Sequence, residues 1–366
     1  MSNATSFLNL QAGYLELKSE IDSAVTRVLD SGSYVLGSEL EAFETEFAGY
    51  CEAKHAIGVA NGLDALQMSL IAMGVGPGDE VIVPSNTFIA SWLAISQCGA
   101  KPVPVEPHPH TFNLNPELIE PLITPHTKVI IVVHLYGQAA DLDAIYKIAK
   151  PRGIRVLEDA AQAHGARYKG RRIGGFSDAV AWSFYPGKNL GAFGDGGAIT
   201  TNSTELNIQL RTLRNYGSRV KYFHEVRGMN SRLDPLQAAI LRIKLKYLDE
   251  WNARRAAVAD LYLRSIVAPR VSLPEIPAWA DPVWHLFVIR HPDRDSLQQT
   301  LHKAGVQTLI HYPLSPYKQA AYSDDFSNAE FPIADSLSGT VLSLPIGPHL
   351  TLEDANRVAA LVNTLS

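Results

Sequence analysis

Cysteine, a surplus of basic residues and long apolar runs are scarce or absent in this sequence. Its 2 cysteines in 366 residues are too few for a disulfide framework or a thiolate metal site, and we expect no bound metal. Acidic residues outnumber basic residues by 37 to 32, so we expect no nucleic-acid partner. Apolar runs such as residues 129–133 are far shorter than a membrane span, so we expect no membrane partner.

The same features bear on the cellular compartment. Two cysteines, Cys51 and Cys98, fit a reducing environment. The first residues, MSNATSFLNL, contain no basic segment that leads into an apolar core, as a signal peptide would. We therefore expect a cytoplasmic protein.

The composition is otherwise that of an ordinary globular protein. Apolar residues make up 46% of the chain and charged residues 19%, which excludes a largely disordered protein. The length predicts two domains, or one large α/β domain with an appendage.

Short apolar segments alternate with amphipathic segments along most of the chain. Residues 18–30 and 38–50 have apolar positions three and four apart, which predicts helices. Ser38, followed by Glu41, predicts a capping box at the start of the second helix. Strands are predicted at residues 55–60, 80–84, 101–105, 129–134, 155–158, 179–183 and 197–201. Strands separated by helices are typical of an α/β fold with a mainly parallel sheet covered on both faces.

The last third of the chain has a different pattern. A long helical segment is predicted from Asp234 to about Leu263, and it leads into a smaller C-terminal domain. That domain is predicted to contain strands at residues 284–289 and 306–310 and helices at residues 295–304 and 352–365. We place the domain boundary between a large domain, residues 1–249, and a small domain, residues 250–366.

Ligands of parallel sheets bind outside the carboxyl ends of the strands. The polar residues that directly follow predicted strands are therefore the first candidates for a functional site. They are Asn61, Ser85, Asn86, Thr87, His134, Asp159 and Ser183.

Lys188 lies in a glycine-rich segment, SFYPGKNLGAFGDGG, between two predicted strands. The pKa of a lysine falls readily when the side chain is buried. A lysine held in this way can form a Schiff base with an aldehyde cofactor. A solvated loop lysine explains the segment equally well when it is considered alone.

Asp159 follows a predicted strand in the segment IRVLEDAAQAHGA. A carboxylate at this edge of the sheet can pair with a protonated pyridine nitrogen and keep a pyridoxal ring cationic. Gln162 can donate a hydrogen bond to the hydroxyl of the same ring. The alternatives are a helix N-cap for Asp159 and a solvent-facing helical position for Gln162.

A phosphate site is predicted where strand, turn and helix meet in VANGLDAL, residues 59–66. The amides of Gly62 and Leu63 would stand at a helix N-terminus, which favours an anion. Ser183 can add a hydroxyl to the same phosphate. Phe88 follows another strand and can stack on a flat ring, although a core position is the simpler interpretation.

Taken together, these segments resemble one family. The order ANGLDAL, SNTFIAS, EDAAQAHGA, SFYPGKNLGAFGDGGA and GMNSRLDPLQAAIL is similar to that of the DegT/DnrJ/EryC1/StrS sugar aminotransferases, from about Leu8 to Leu350. The resemblance implies pyridoxal-phosphate fold type I, the aspartate aminotransferase-like fold, with a large three-layer domain and a small α+β domain. It also implies a homodimer with shared active sites.

The resemblance further implies a role for each matching residue. Lys188 would hold the cofactor aldehyde, Asp159 would pair with the ring nitrogen, Gln162 would contact the ring hydroxyl, and Phe88 would stack on the ring. Gly62, Leu63 and Ser183 would bind the phosphate of pyridoxal 5'-phosphate, and Asn230 would reach it from the partner subunit. Relatives often have Thr or Ser where this chain has Leu63, so only the backbone amide is expected to contribute there.

The resemblance also implies the substrates. L-Glutamate would donate the amino group, and C3 of a dTDP-3-keto-6-deoxyhexose would accept it, since residues 305–319 are similar to those of enzymes with this specificity. Tyr185, Lys221, His311 and Tyr312 match residues near the nucleotide sugar in those relatives. Arg232 is a candidate for binding the glutamate carboxylate, and a structural salt bridge is an equally good explanation for it.

Four other functions are less consistent with the sequence. Amination of a 4-keto sugar, and non-catalytic binding of pyridoxal phosphate or a nucleotide sugar, remain alternatives. A nicotinamide-dependent enzyme would need a G-x-G-x-x-G turn after a strand, which VANGLDAL lacks. A zinc hydrolase would need a third ligand beside His108 and His110. His134 and His164 are interpreted as walls of the site or as packing residues.

Overall fold

The computed structural model describes residues 4–366. Its strands are β1 (His55–Val59), β2 (Glu80–Pro84), β3 (Lys101–Val105), β4 (Thr127–Val133), β5 (Arg155–Asp159), β6 (Arg167–Tyr168), β7 (Arg171–Arg172), β8 (Ala179–Ser183), β9 (Gly197–Thr201), β10 (Ala280–Asp281), β11 (Phe287–Arg290) and β12 (Val341–Leu344). Its α-helices are α1 (Leu10–Glu16), α2 (Lys18–Ser31), α3 (Ser38–Tyr50), α4 (Gly62–Ala72), α5 (Ile89–Gln97), α6 (Leu142–Ala149), α7 (Thr204–Leu213), α8 (Pro235–Leu245), α9 (Leu248–Ser265), α10 (Arg294–Lys303), α11 (Pro332–Thr340) and α12 (Leu352–Leu365).

A seven-stranded sheet forms the centre of the molecule, in the order β1-β9-β8-β5-β4-β2-β3. Every neighbouring pair is parallel except the two pairs that β9 makes with β1 and β8. The predicted, mainly parallel α/β sheet is therefore confirmed. The carboxyl ends of its parallel strands meet at one edge, where the candidate residues lie.

Both faces of this sheet are covered, because alternate residues of a strand point to opposite sides. In β4, Ile130 and Val132 pack in one apolar cluster with residues of α3, α6 and α8. Val129, Ile131 and Val133 pack in a second cluster with residues of α4, α5 and α7. The three-layer arrangement explains why this strand is apolar throughout residues 129–133.

A third apolar cluster lies in the C-terminal part of the chain. The antiparallel pair β11–β12 packs there with α10, α12 and the second half of α9. Earlier in α9, Trp251 packs instead with Leu17 and Ile21. The helix therefore joins the two parts of the molecule, while the boundary between residues 249 and 250 stays a prediction.

Four local predictions differ from the structure. The predicted helix 234–263 is two helices, because the chain turns at Lys246 and Tyr247. The predicted strand 284–289 begins later, at Phe287, because Trp284 has a positive φ of 50°. Residues 306–310 form only isolated bridges. Ser38 is the first helical residue and Gly37 occupies the cap position without a side-chain bond, so the capping box is wrong.

The N-terminal segment packs against the C-terminal part of the chain. Thr5 pairs with Val306 in a parallel bridge, and the amide of Phe7 donates to Gln307 Oε1 at 3.2 Å.

Within residues 4–366, none of the helices combines the length and hydropathy that crossing a bilayer requires.

Candidate active site

A cavity of about 1070 Å³ opens at the carboxyl ends of the parallel strands. It is bounded by residues that follow β1, β2, β5 and β8 and by residues of the C-terminal part. The predicted site residues that line it are Gly62, Leu63, Phe88, Asp159, Gln162, Ser183, Tyr185, Lys188, His311 and Tyr312. Residues separated by up to 250 positions in the chain, Gly62 and Tyr312, thus meet in one place.

Lys188 lies in the loop between β8 and β9, where its amide donates to Tyr185 O at 2.8 Å. The loop is tight, since a Cβ on Gly191 would lie 2.3 Å from the carbonyl oxygen of Pro186. Burial lowers the pKa of the Lys188 amine to about 8, and the Asp159 carboxylate opposes this effect. A substantial fraction of the amine is therefore neutral at slightly alkaline pH.

Asp159 ends β5, and its two carboxylate oxygens are held separately. Ser91 Oγ donates to Oδ2 at 2.8 Å, and the amide of Ala161 donates to Oδ1 at 3.2 Å. Thr87 Oγ1 lies 3.0 Å from Ser91 Oγ and extends the network. Burial raises the pKa of Asp159, while Ser91, Ala161 and the charge of Lys188 oppose that rise. The network orients a buried carboxylate toward the cavity.

Gln162 and Phe88 are positioned by Tyr312 and Tyr136. The amide of Tyr136 donates to Gln162 Oε1 at 2.6 Å, and Gln162 Nε2 donates to Tyr312 Oη at 3.1 Å. The ring of Phe88 packs against that of Tyr312, with 5.3 Å between centroids. Phe88 is still 51% exposed, so one face of the ring is available to a planar ligand.

The N-terminus of α4 forms an anion cradle with the end of β8. Asn61 caps the helix by accepting from the amide of Asp64 at 2.8 Å. The first amides of a helix have no intrahelical partner, which leaves those of Gly62 and Leu63 for a ligand. A Cβ on Gly62 would lie 2.7 Å from Ser183 Cβ. Glycine is therefore required for the helix to approach the Ser183 hydroxyl this closely.

His311 and Tyr185 also line the cavity. His311 Nδ1 is 2.8 Å from Ser343 Oγ, and its ring stacks on Phe7 with 5.9 Å between centroids. Burial, helped by the charge of Lys188, lowers the pKa of His311 to about 4. His311 is therefore neutral at physiological pH, while the exposed Tyr185 ring stands at the mouth of the cavity.

Other residues of the cavity belong to no site that the sequence predicts. They include Phe7, Leu8, Arg255, His285, Gln298, Gln299 and His302. Each lies outside any recognisable motif, and most come from the C-terminal part, whose packing against the sheet is a tertiary feature. No local sequence signal distinguishes them.

His285 has a tautomer that its neighbours determine. Asn189 Nδ2 donates to Asn252 Oδ1 and to Val283 O, each at 2.9 Å. The Asn189 oxygen therefore accepts from Nδ1–H of His285 at 3.1 Å. Burial and the nearby charge of Lys188 hold the pKa of His285 well below its ordinary value. The ring is neutral, and its Nε2 is an acceptor.

Three predicted site residues do not line this cavity. Lys221 is exposed and lies over the ring of Tyr222, 5.1 Å from its centroid. Asn230 is exposed and pairs with Asn215 in an isolated bridge. Arg232 donates to Asn215 Oδ1 at 2.9 Å. Their roles stay predictions, and the role predicted for Asn230 is in the site of a partner subunit.

His134 and His164 are packing residues. His134 Nε2 lies 2.7 Å from Glu158 Oε2, and both side chains are fully buried. His164 is buried against the rings of Trp182 and Phe184. Neither lines the cavity. Among residues 4–366, no cluster of three or more His, Cys, Asp or Glu side chains could hold a metal ion.

Comparison with known families identifies what the site resembles. The model of the DegT/DnrJ/EryC1/StrS aminotransferase family matches residues 15–363. A dTDP-3-amino-3,4,6-trideoxy-alpha-D-glucose transaminase of Streptomyces venezuelae is 56% identical, over 96% of this chain and 93% of that protein. A dTDP-3-amino-3,6-dideoxy-alpha-D-galactopyranose transaminase of Aneurinibacillus thermoaerophilus is 54% identical, over 98% of each chain. The erythromycin biosynthesis sensory transduction protein EryC1 of Saccharopolyspora erythraea is 58% identical, over 97% of each.

The fold has an equally clear counterpart. The crystal structure of S. venezuelae DesV in complex with a ketimine intermediate superimposes with a TM-score of 0.98. The two chains are 54% identical, and the match covers 100% of this chain and 98% of DesV. The predicted aspartate aminotransferase-like architecture is therefore confirmed.

Proposed function

The chain belongs to the DegT/DnrJ/EryC1/StrS aminotransferase family, and from this premise we propose that it transfers an amino group from L-glutamate to C3 of a dTDP-3-keto-6-deoxyhexose. The products are 2-oxoglutarate and a dTDP-3-amino-3,6-dideoxyhexose. The cofactor is pyridoxal 5'-phosphate. The observation that carries the proposal is the meeting of Lys188 and Asp159 in one cavity, in a chain more than half identical to two dTDP-3-amino sugar transaminases.

The cavity fits the cofactor at both of its ends. The close approach of Gly62 to Ser183 forms a cradle for the phosphate, which the amides of Gly62 and Leu63 would bind. Asp159 would hold the ring nitrogen, and Phe88 would cover one face of the ring. Bound pyridoxal phosphate supplies an aldehyde that condenses with amines and a cationic ring that accepts electron density.

Lys188 would transfer the proton in each half of the reaction. Its amine, with a pKa lowered to about 8, is basic enough to remove the proton from Cα of glutamate and acidic enough to return it. Asp159, which accepts hydrogen bonds from Ser91 and Ala161, would pair with the ring nitrogen and keep it protonated. The same two residues then act in reverse when the keto sugar accepts the amine.

The sugar nucleotide would bind on the side of the cavity formed by the C-terminal part. His311, neutral because its pKa is lowered to about 4, and Tyr312 can bond sugar hydroxyls or phosphate. Tyr185 stands at the mouth of the same cavity. The two transaminases that resemble this chain have names that specify sugars differing at C4. An activity assay should therefore include keto sugars with and without a hydroxyl group at C4.

The active enzyme would be a homodimer with shared sites. The loop around Lys221 carries exposed apolar side chains, including Tyr222, which is 81% exposed, and Phe223, which is 71% exposed. Such a patch favours an interaction surface. From a second copy, Lys221 would neutralise the diphosphate, Asn230 would reach the cofactor phosphate, and Arg232 would stand ready to bind the glutamate carboxylate.

We further propose that the enzyme works in the cytoplasm. Its aminated deoxysugar would be used for lipopolysaccharide O-antigen, another surface glycan or a glycosylated natural product. Nucleotide-linked sugars of this type are donors for glycosyl transfer, so a glycosyltransferase reaction would consume the product.

The decisive experiment separates the two halves of the reaction. The purified protein is loaded with pyridoxal phosphate, and L-glutamate is added without a sugar. The visible absorption band of the bound cofactor should disappear, with release of one equivalent of 2-oxoglutarate, and a 3-keto sugar should restore the band. No response to glutamate would favour a non-catalytic binding protein instead, and restoration by 4-keto sugars alone would favour 4-amination.

Steady-state kinetics test the same scheme and the assignment of the sugar side. Two separate halves predict parallel double-reciprocal lines, and intersecting lines would contradict them. Exchanging His311 and Tyr312 for alanine should raise the sugar KM far more than the glutamate KM. His126→Ala, at an exposed histidine, is the control and should change neither.

A further inference from the structure

Arg255 is an arginine of α9 that lines the cavity although it is only 4% exposed. Its Nη1 lies near three backbone carbonyl oxygens, at 3.2 Å from Trp284, 3.3 Å from His285 and 3.4 Å from Ile346. The structure records no hydrogen bond from Nε or Nη2 to any residue between 4 and 366. Part of the guanidinium group therefore faces the cavity without a protein partner.

No carboxylate compensates this charge among the described residues. The buried Arg214, in contrast, forms an ion pair with Glu44, and Arg172 forms one with Asp249 at 2.6 Å. A buried cation without an anion is costly, because backbone carbonyls replace only part of the lost hydration. The cavity thus holds a positive charge that a bound anion would compensate.

Two histidine side chains lie near Arg255. The side chains of His285 and His349 both lie close enough for its charge to lower their pKa. Burial lowers the pKa of Arg255 itself, but only to about 10, so the guanidinium stays charged at neutral pH. Leu8 and Ile346 also line the cavity, and apolar side chains beside an ion pair strengthen it by reducing its contact with water.

We propose that Arg255 binds a carboxylate group of the amino donor, an inference that rests on the proposed aminotransferase function. A planar guanidinium with free N–H groups can bind a carboxylate through two parallel hydrogen bonds. The phosphate of the cofactor already has a separate cradle at Gly62 and Ser183. Arg232, the candidate from the sequence, is bound to Asn215 outside the cavity of its own chain, so it could reach the donor only from a second copy.

The first test measures binding without any reaction. Glutarate, a dicarboxylate that lacks the amino group, is titrated into the holoenzyme by calorimetry, and dTDP is titrated separately. Arg255→Gln should weaken glutarate binding by about 10- to 100-fold, the usual effect of losing hydrogen bonds to a charged group, and leave dTDP binding unchanged. Arg255→Lys keeps the positive charge but lacks the planar guanidinium. Its affinity for glutarate should lie between those of the wild type and Arg255→Gln.

Arg294→Gln is the matched control. Arg294 is also buried and also donates to backbone carbonyls, those of Ser338 and Val341, but it does not line the cavity. Its loss should lower the unfolding midpoint without changing glutarate binding. If Arg255→Gln does not fold, Arg255→Lys, expected to bind glutarate several-fold more weakly than wild type, carries the same test.

Three results would overturn the assignment: unchanged glutarate binding in both Arg255 variants, no glutarate binding by the wild type, or a loss of dTDP binding in place of glutarate binding. The last result would make the anion a diphosphate. The glutamate-induced spectral change of the wild-type holoenzyme is recorded in parallel. If that change is absent while glutarate binding depends on Arg255, the proposed function fails and the carboxylate site stands.

Discussion

The ionisation of Lys188 depends on how deeply its amine is buried. An amine must lose its proton before it acts as a nucleophile or a base. Because burial lowers the pKa to about 8, the neutral fraction should rise about tenfold per pH unit below that value and level off above it. The rate at which cofactor-free protein captures pyridoxal phosphate, followed by stopped-flow absorbance, is expected to follow this curve.

Two comparisons make this pH dependence specific. Lys188→Arg should capture no cofactor, while Lys147→Arg, at an exposed lysine of α6, should behave as the wild type. A capture rate that continues to rise up to the ordinary lysine value of 10.5 would show that burial does not activate the amine.

Ser91 is expected to keep Asp159 ionised. Burial raises the pKa of Asp159 and the hydrogen bond from Ser91 opposes that rise, so Ser91→Ala should raise this pKa further. The acid limb of the pH–rate profile should then move to higher pH, and cofactor affinity should fall about tenfold. Ser96→Ala lies on the same helix, where Ser96 contacts Tyr322, and is the control. An unshifted acid limb in Ser91→Ala would argue against this role.

Among the helices and strands, the junction of α4 with β8 leaves no room for a side chain on Gly62. Gly62→Ala would place a methyl group 2.7 Å from Ser183 Cβ, so the helix must move away from the strand. We expect a loss of about 1–3 kcal/mol in the free energy of unfolding, together with weaker binding of pyridoxal phosphate. Denaturant titration and a cofactor-binding isotherm measure the two effects.

Gly49→Ala provides the contrast for that substitution. Gly49 lies inside α3, and a Cβ there would meet nothing within 4 Å. Alanine is the better helix former, so this change should stabilise the protein by up to about 1 kcal/mol and leave cofactor binding unchanged. Equal effects of the two substitutions would refute the steric explanation.

The strands were predictable because their burial is recorded in the residues themselves. In β4 every residue from Val129 to Val133 is apolar, as two covered faces require, and Asp159 could be placed at an edge of the sheet by following its strand. The break at Lys246 and Tyr247 was not predictable. No glycine or proline marks it, and it arises because α8 packs on α2 and α3 while α9 continues to the C-terminal cluster.

The candidate site likewise combines residues that the sequence predicts with residues that it does not. Gly62, Asp159 and Lys188 belong to segments whose order resembles a family, and the structure brings them together. Arg255 and His285 belong to no motif, and their place in the cavity follows from how the C-terminal part packs on the sheet. The sequence of an amphipathic helix does not show whether an arginine in it will have a carboxylate partner in the folded protein.

At the scale of the whole molecule, the loop that carries Lys221 exposes aromatic side chains that have no cover within the described residues of one chain. Tyr222 and Phe223 are exposed in the loop that carries Lys221, and Asn230 lies outside the cavity of its own chain. A dimer in which this loop enters the partner's cavity would cover the apolar side chains and complete both sites. A closed symmetric pair of this kind would account for both observations.

Complementation between two defective variants tests this arrangement. One subunit carries Lys188→Ala, and the other carries Lys221→Ala with Asn230→Ala, so each homodimer is impaired. If sites are shared, mixing equal amounts after reversible dissociation gives heterodimers with one intact site, and activity should recover to about a quarter of the wild-type value at low sugar concentration. If each chain's site were complete by itself, every site in the mixture would keep one of the two defects, and mixing would restore nothing.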